Sequence, residues 1–277
     1  MSERIFRLKN IFFKDGFKGL LNYLFYKLNI PINFKNDLSR KIEYFSKYIS
    51  RELNNTIITG PFKGTKLIYN VNNNVLGIKL LNYYEKEVVS TIASYKNKKK
   101  FFINIGSSDG FYICGLLKNS YFEKAVIFES DSKSISFLKK NLLANNIAED
   151  KVIIFEEAKN NFTDLLLENN IDILDSFFLI DIEGGEYKIF NDYNLEKLKK
   201  VPMIIETHDF LKINVNIKKE FNNFFLNNSN SHIINILERK FEYFSFLEPL
   251  IRSEMDKNLL TSEQRPYGQY WVAYNIF

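Results

Sequence analysis

The chain has 277 residues, of which 45% are hydrophobic and 16% aromatic, a composition that indicates a folded globular protein and excludes a disordered one. Its formal charge of +5 arises within residues 1–35, which hold seven Lys or Arg against two acidic residues. The neutral remainder disfavours a nucleic-acid-binding protein. The single cysteine, Cys114, excludes an internal disulfide and fits a cytoplasmic protein.

Residues 1–95 are predicted to form a basic N-terminal helical arm followed by a cap. The arm, residues 1–35, combines basic side chains with apolar ones such as Phe13 and Phe17. We expect this amphipathic segment to pack on the rest of the protein with its lysines in water. The alternative is peripheral contact with the anionic inner face of a membrane. The longest uncharged stretch of the arm, GLLNYLFY, is too short to cross a bilayer.

Residues 96–277 alternate short apolar stretches with amphipathic ones, which predicts one domain of strands connected by helices. The predicted strands are 101–106, 125–130, 152–157, 176–182 and 202–207, followed by an antiparallel pair in HIINILERKF and YWVAYNIF. Ser132 is expected to cap the helix after the second strand. This order predicts an α/β fold with a doubly wound, mostly parallel seven-stranded sheet of the Rossmann-like kind. Its ligand site would lie at the carboxyl ends of the strands.

A glycine-containing turn follows the first predicted strand, in FFINIGSSDGFY. Gly106 and Gly110 let a ligand approach the backbone closely. Glu129 ends the next strand, where a carboxylate can accept hydrogen bonds from both ribose hydroxyls of a nucleoside. The pattern therefore predicts an adenosine-containing cofactor, but it lacks the glycine spacing of dinucleotide sites and of P-loops. The alternative is a structural strand–turn–helix unit with an unrelated acid downstream.

Acidic residues and a histidine follow the fourth and fifth predicted strands. Asp181 and Glu183 stand in LIDIEGGEY, and Glu206 and His208 stand in IIETHD. Residues two apart in a strand share a face, and neighbouring parallel strands bring the two pairs together. Because a histidine oriented by a carboxylate can remove a proton from a hydroxyl, we predict His208 as a base oriented by Glu206 or Asp181. The alternative is that His208 only hydrogen-bonds to the backbone at the strand end.

The same side chains also suit a divalent cation. Asp181, Glu183 and His208 would be its ligands, with Glu206 and Asp209 close by, and the ion would bind a vicinal diol of a substrate. The basic residues that could instead neutralise these acids are Lys188, Arg239 and Arg265. We favour a site without metal.

Several stretches taken in order resemble the FkbM family of class I S-adenosylmethionine-dependent methyltransferases. They are GPFKG, LGIKLLNYYEKEV, the glycine turn, LIDIEGGEYKIF and PMIIETHD. The resemblance covers roughly residues 57–277, and its most specific part is the D-x-E-G-x-E pattern. It implies a class I methyltransferase fold, S-adenosylmethionine as cofactor and methyl transfer to oxygen. The implied acceptor is a saccharide or another small hydroxylated metabolite.

The resemblance also implies roles for single residues. Asp181 would lie near the transferred methyl group, Glu129 would bind the ribose, and Asp109 would bind the ammonium group of the cofactor. The other residues implied to contact the cofactor are Asn104, Gly106, Ser107, Gly110, Glu157 and Ala158. Asn104 departs from the family pattern, which has an acid at this position, so a lower cofactor affinity is expected.

Two other functions remain open from the sequence. A non-catalytic scaffold in glycan assembly is one, because Asn104 replaces a charged group of the family pattern. A nucleic-acid methyltransferase is the other, and it is disfavoured because no N-P-P-Y-type tetrapeptide follows the fourth strand to stack a flipped base.

Overall fold

The protein is described by a computed structural model that covers residues 37–69, 75–208, 221, 224–225, 230–263 and 269–276. The predicted basic arm, residues 1–35, lies outside the described residues, as do Asp209 and Arg265. Among the helices of the described ranges, none combines the length and the hydropathy that a membrane crossing requires.

In the part of the chain that the structure describes, seven strands form one sheet. They are β1 Phe101–Ile105, β2 Lys124–Phe128, β3 Val152–Phe155, β4 Ser176–Ile180, β5 Met203–His208, β6 Ser231–Ile234 and β7 Gln269–Tyr274. The strand order is β3-β2-β1-β4-β5-β7-β6. Strands β1 to β5 pair in parallel, and β7 pairs antiparallel with both β5 and β6. The predicted doubly wound, mostly parallel seven-stranded sheet is confirmed.

The helices lie on both faces of this sheet. They are α1 Asp37–Glu52, α2 Leu76–Leu80, α3 Lys86–Ala93, α4 Phe111–Lys118, α5 Ser132–Ala144, α6 Phe162–Glu168, α7 Glu186–Ile189, α8 Asp192–Leu198 and α9 Glu254–Thr261. The described residues also contain two short 3₁₀ segments, Glu149–Lys151 and Ser245–Leu250. The N-cap of α5 is Asp131, whose carboxylate accepts from the amides of Lys133 and Ser134. The prediction of Ser132 as the cap was therefore wrong by one residue.

Alternate residues of each central strand point to opposite sheet faces and enter separate cores. Phe102, on one face, joins a cluster that includes residues of α1 to α5 and α9. Ile103, on the other face, joins a cluster that includes residues of α6, α7 and α8. The described part of the predicted cap thus shares a hydrophobic core with the sheet. The domain boundary between residues 95 and 96 stays a prediction.

Candidate active site

A cleft of about 550 Å³ opens at the carboxyl ends of β1, β2 and β4. Its described walls carry seven acidic and two basic residues. The acids are Glu85, Asp109, Glu129, Glu156, Glu157, Asp181 and Glu183, and the bases are Lys79 and Lys188. The cleft therefore favours a cationic or neutral ligand over a polyanion.

The glycine turn forms the floor of this cleft. Gly106 has φ +86°, and a Cβ atom added to it would lie 1.7 Å from the carbonyl oxygen of Asp181. Gly110 has φ +79°, and an added Cβ would lie 2.3 Å from a methyl group of Leu138. Both positions require glycine, because the backbone is left-handed and the neighbouring chain passes too close for a side chain. Ser107 also lines the cleft.

Glu129 follows β2 directly, and its carboxylate connects the glycine turn to the segment after β2. Its Oε2 accepts from the amide of Ser108 at 2.7 Å, and its Oε1 accepts from the amide of Asp131 at 2.9 Å. The carboxylate keeps further lone pairs for a ligand, since each oxygen can accept two hydrogen bonds. Glu157 and Ala158 line the same cleft. The structure thus brings together the residues predicted for the adenosine end, and their roles stay predictions.

Asn104 lies near the end of β1, and its contact with the cofactor stays a prediction. It is 1% exposed, and its amide nitrogen donates to the carbonyl oxygens of Gly106 at 3.3 Å and Leu179 at 3.4 Å. It is not among the described residues that line the cleft. Its observed contacts hold the end of β1 against β4, so the structure supports a structural use of this side chain.

Asp109 does line the cleft, and it already has a cationic partner. Lys79 on α2 donates to both carboxylate oxygens of Asp109 at 3.1 Å. The neighbouring Glu85 has φ +46°, is 2% exposed and accepts from the hydroxyl of Tyr112. Sequence reasoning assigned no role to Lys79 or Glu85, although both stand in the LGIKLLNYYEKEV stretch that carried the family resemblance.

Two asparagines at the C-terminal end of α5, Asn141 within the helix and Asn145 just after it, do more than cap the helix. Asn145 does donate to the carbonyl of Asn141 at 2.8 Å, as a capping side chain would. It also exchanges two 2.8 Å hydrogen bonds with the backbone of Lys66. Asn141 accepts from the amide of Ile68 at 2.7 Å and donates to the carbonyl of Asp109 at 2.8 Å. These side chains fasten the 65–68 segment to the glycine turn.

His208 is fully buried at the end of β5 and is surrounded by carboxylates. Its Nδ1 lies 2.7 Å from Oε1 of Glu186, so Glu186 orients the ring. Its Nε2 lies 3.5 Å from Glu206, 3.5 Å from Glu183 and 3.7 Å from Asp181. The structure thus brings the predicted residues together, and the carboxylate within hydrogen-bond distance of the ring is that of Glu186, whereas Glu206 and Asp181, predicted to orient it, lie farther away. Glu186 is 0% exposed and belongs to α7, which follows β4 in the chain.

The cleft reaches only part of this group. Asp181 and Glu183 line it, whereas Glu206 and His208 are not among the described lining residues. Burial and then the charge of Glu206 raise the pKa of Asp181 well above its usual range. Burial lowers the pKa of His208, but the hydrogen bond and charge of Glu186, followed by the charges of Glu206 and Glu183, raise it overall. An imidazolium here would offset part of the carboxylate charge.

A divalent cation has a candidate ligand set in the described residues. One ligand atom from each of Asp181, Glu206 and His208 lies within 4.8 Å of the others, so Glu206 takes the position that the sequence suggested for Glu183. Glu183 instead has a side chain that is 80% exposed. Arg239, considered as a partner of these acids, pairs with Glu87 and Glu263. Metal dependence stays untested.

Neither a protein-family model nor a curated protein matches this sequence. Among solved structures, a putative O-methyltransferase from Klebsiella pneumoniae is similar at a TM-score of 0.43 and 8% identity, over 92% of this chain and 95% of that one. An rRNA methylase from Streptococcus thermophilus gives 0.40 and 9%, over 67% and 92%. M. capricolum TrmK in complex with S-adenosyl-homocysteine gives 0.38 and 12%, over 67% of this chain and 66% of that chain, slightly less than two thirds of its length. These similarities are too weak to decide the function, which we argue from the cleft.

Proposed function

We propose that the protein is an S-adenosylmethionine-dependent methyltransferase of the FkbM type that methylates a hydroxyl group of a saccharide or small metabolite. One observation carries the proposal: a single cleft contains both the glycine turn with Glu129 and the carboxylate Asp181. The glycine turn and Glu129 suit an adenosine, and Asp181 suits an acceptor hydroxyl that must lose a proton. The sequence resemblance supports the choice of oxygen as the acceptor atom.

The described residues fit this cofactor. Gly106 lines the cleft, where the close approach of the Asp181 backbone excludes a side chain, and Glu129 can accept the hydrogen bonds of two ribose hydroxyls. The acidic walls of the cleft complement a sulfonium cation. When bound, S-adenosylmethionine supplies an electrophilic methyl group to the acceptor oxygen. The contribution of the protein is to hold the two partners in line and to receive a proton.

Asp181 is the proposed proton acceptor, because it is the carboxylate of the group that lines the cleft and has a raised pKa. A carboxyl group with a raised pKa is a stronger base than an ordinary aspartate, provided that it is ionised. His208 is proposed as a positioning residue: Glu186 holds its ring, and its positive charge helps Asp181 to stay ionised. The interpretation of His208 as the base itself is the competing mechanism.

Two other functions compete with this proposal. One is a scaffold that binds no cofactor, and it is compatible with the contacts of Asn104, which are to the protein backbone. A nucleic-acid methyltransferase is disfavoured by the predominantly acidic walls of the described cleft, because phosphates would be repelled there.

Calorimetric titration with S-adenosylhomocysteine tests the proposal. We expect micromolar binding that Glu129→Ala weakens at least about tenfold, since two charge-assisted hydrogen bonds are lost. Glu123→Ala, on the exposed surface, is the matched control and should bind normally. Transfer of labelled methyl groups to hydroxylated acceptors, with and without chelator, follows. A well-folded protein that does not bind would favour the scaffold, and methylation of RNA but of no saccharide would favour the nucleic-acid enzyme.

A further inference from the structure

A buried ion pair lies in the same cleft as the glycine turn, and neither partner contributes to the proton transfer proposed above. Lys79 and Asp109 have side chains that are 7% and 13% exposed, and both line the cleft. Asp109 also accepts from the amide of Phe111 at 3.2 Å, which fixes the carboxylate at the start of α4. The pair is therefore a rigid dipole that presents one positive and one negative group to the cleft.

The ammonium of Lys79 lies beside two aromatic rings as well as beside Asp109. Its ammonium lies 5.0 Å from the ring centroid of Tyr84 and 5.1 Å from that of Phe111. The described residues accept from Lys79 only through Asp109, at its two carboxylate oxygens. A lysine ammonium has three N–H donors, so a third remains for a ligand. Removing a lysine and an aspartate from water costs free energy that their mutual attraction must offset, so the pair by itself is weak evidence for a role in stabilising the fold.

We infer that Lys79 binds the carboxylate of a zwitterionic amino-acid group and so completes a subsite in which the family resemblance already implies that Asp109 binds the ammonium. This inference rests on the proposed function, because S-adenosylmethionine carries such a group beyond its sulfur. Of the two basic residues that line the described cleft, Lys79 is the one held beside Asp109, while Lys188 belongs to α7 after β4. The acidic remainder of the walls would repel a carboxylate without Lys79.

With this subsite, the region that precedes β1 in the chain belongs to the cofactor site. All five residues of α2 are buried, so the backbone that carries Lys79 is fixed by packing. Glu129 would then bind the adenosine, while Asp109 of the glycine turn and Lys79 of the preceding region would recognise the amino-acid end.

Comparing two ligands tests the subsite. S-adenosylhomocysteine has the amino-acid group, whereas 5′-methylthioadenosine shares the nucleoside and the thioether but lacks that group. We expect Lys79→Met to weaken binding of S-adenosylhomocysteine about 10- to 100-fold, as the loss of a charge-assisted contact would. Its affinity for 5′-methylthioadenosine should change less than about twofold. Lys63→Met, an equal change of charge at an exposed turn residue, should leave both affinities as they are.

Other outcomes overturn the inference. Equal weakening of both ligands by Lys79→Met would mean that the ion pair only supports the fold, and an effect of Lys188→Met in place of Lys79→Met would move the carboxylate contact to α7. If Lys79→Met does not fold, the double variant Lys79→Met/Asp109→Asn removes both charges together, and it should bind the two ligands with nearly equal affinity. A retained preference for S-adenosylhomocysteine in that variant would contradict the subsite. A wild-type protein that binds neither ligand would refute the proposed function itself.

Discussion

At the scale of single residues, the two mechanisms for the His208 group differ in their pH dependence. If His208 positions Asp181, His208→Gln removes a positive charge and raises the pKa of Asp181 further. The acid limb of the turnover profile should then move to higher pH, with turnover recovering in part under alkaline conditions. Affinity for S-adenosylhomocysteine should stay nearly unchanged. The measurement is kcat against pH for the wild type and the variant, and loss of turnover at every pH would identify His208 as the base.

Gly106 and Gly64 form a matched pair of left-handed glycines. Both have a φ near +85°, at +86° and +84°, but an added Cβ meets the Asp181 carbonyl at 1.7 Å in one case and no atom within 4 Å in the other. Gly64→Ala should cost only the backbone strain of about 1–2 kcal/mol and keep cofactor binding. Gly106→Ala should cost more and abolish binding of S-adenosylhomocysteine. Urea unfolding and calorimetry measure these effects, and equal costs would show that the close approach to Asp181 is unimportant.

At the scale of elements, two asparagines allow the stability of the fold to be tested separately from the shape of the cleft. Asn141 and Asn145 are both buried, and each binds the backbone of the 65–68 segment. Only Asn141 also reaches the glycine turn, at the carbonyl of Asp109. Alanine at either position should therefore lower the free energy of unfolding by about 1–3 kcal/mol.

Calorimetry distinguishes the two variants. Asn141→Ala should weaken binding of S-adenosylhomocysteine several-fold, because the turn that carries Asp109 loses a support, whereas Asn145→Ala should bind as the wild type does. Equal affinities of the two variants would mean that the turn keeps its shape without the contact to α5.

At the scale of the whole molecule, the sheet could be predicted from the sequence because buried parallel strands read as continuous apolar stretches. Four of the five predicted parallel strands extend one or two residues beyond their observed ends, whereas β5 ends one residue later than predicted. At Ile182, after β4, the reason is that an apolar residue beyond a strand end looks the same in the sequence as one within the strand. The residues at the strand ends, such as Asp181 and His208, could be predicted from topology alone. The contact of Lys79 with Asp109 could not, because it depends on how α2 packs against the sheet.

Arg239 connects three distant parts of the chain and should affect unfolding of the whole molecule. It donates to Glu87 on α3 at 2.7 Å and to Glu263 after α9 at 2.9 Å, and its side chain is 7% exposed. Arg239→Met would leave these carboxylates without their cation and should lower the free energy of unfolding by about 3–5 kcal/mol at neutral pH. Lys240→Met, at an exposed position, is the control and should have little effect.

The cost of losing Arg239 should depend on pH in a definite direction. Burial alone would raise the pKa of Glu87, but the hydrogen bond and charge of Arg239 lower it below the usual 4.5. A carboxyl group whose pKa is lowered by folding stabilises the protein above its unfolded pKa, and this stabilisation is lost as the pH falls through the folded value. The difference in unfolding free energy between the wild type and Arg239→Met should thus be full at pH 7 and shrink below pH 4.5. Urea unfolding at pH 7 and at a pH well below 4.5 measures it, and a difference that is constant with pH would show that the stabilisation by Arg239 comes from packing and not from its ion pairs.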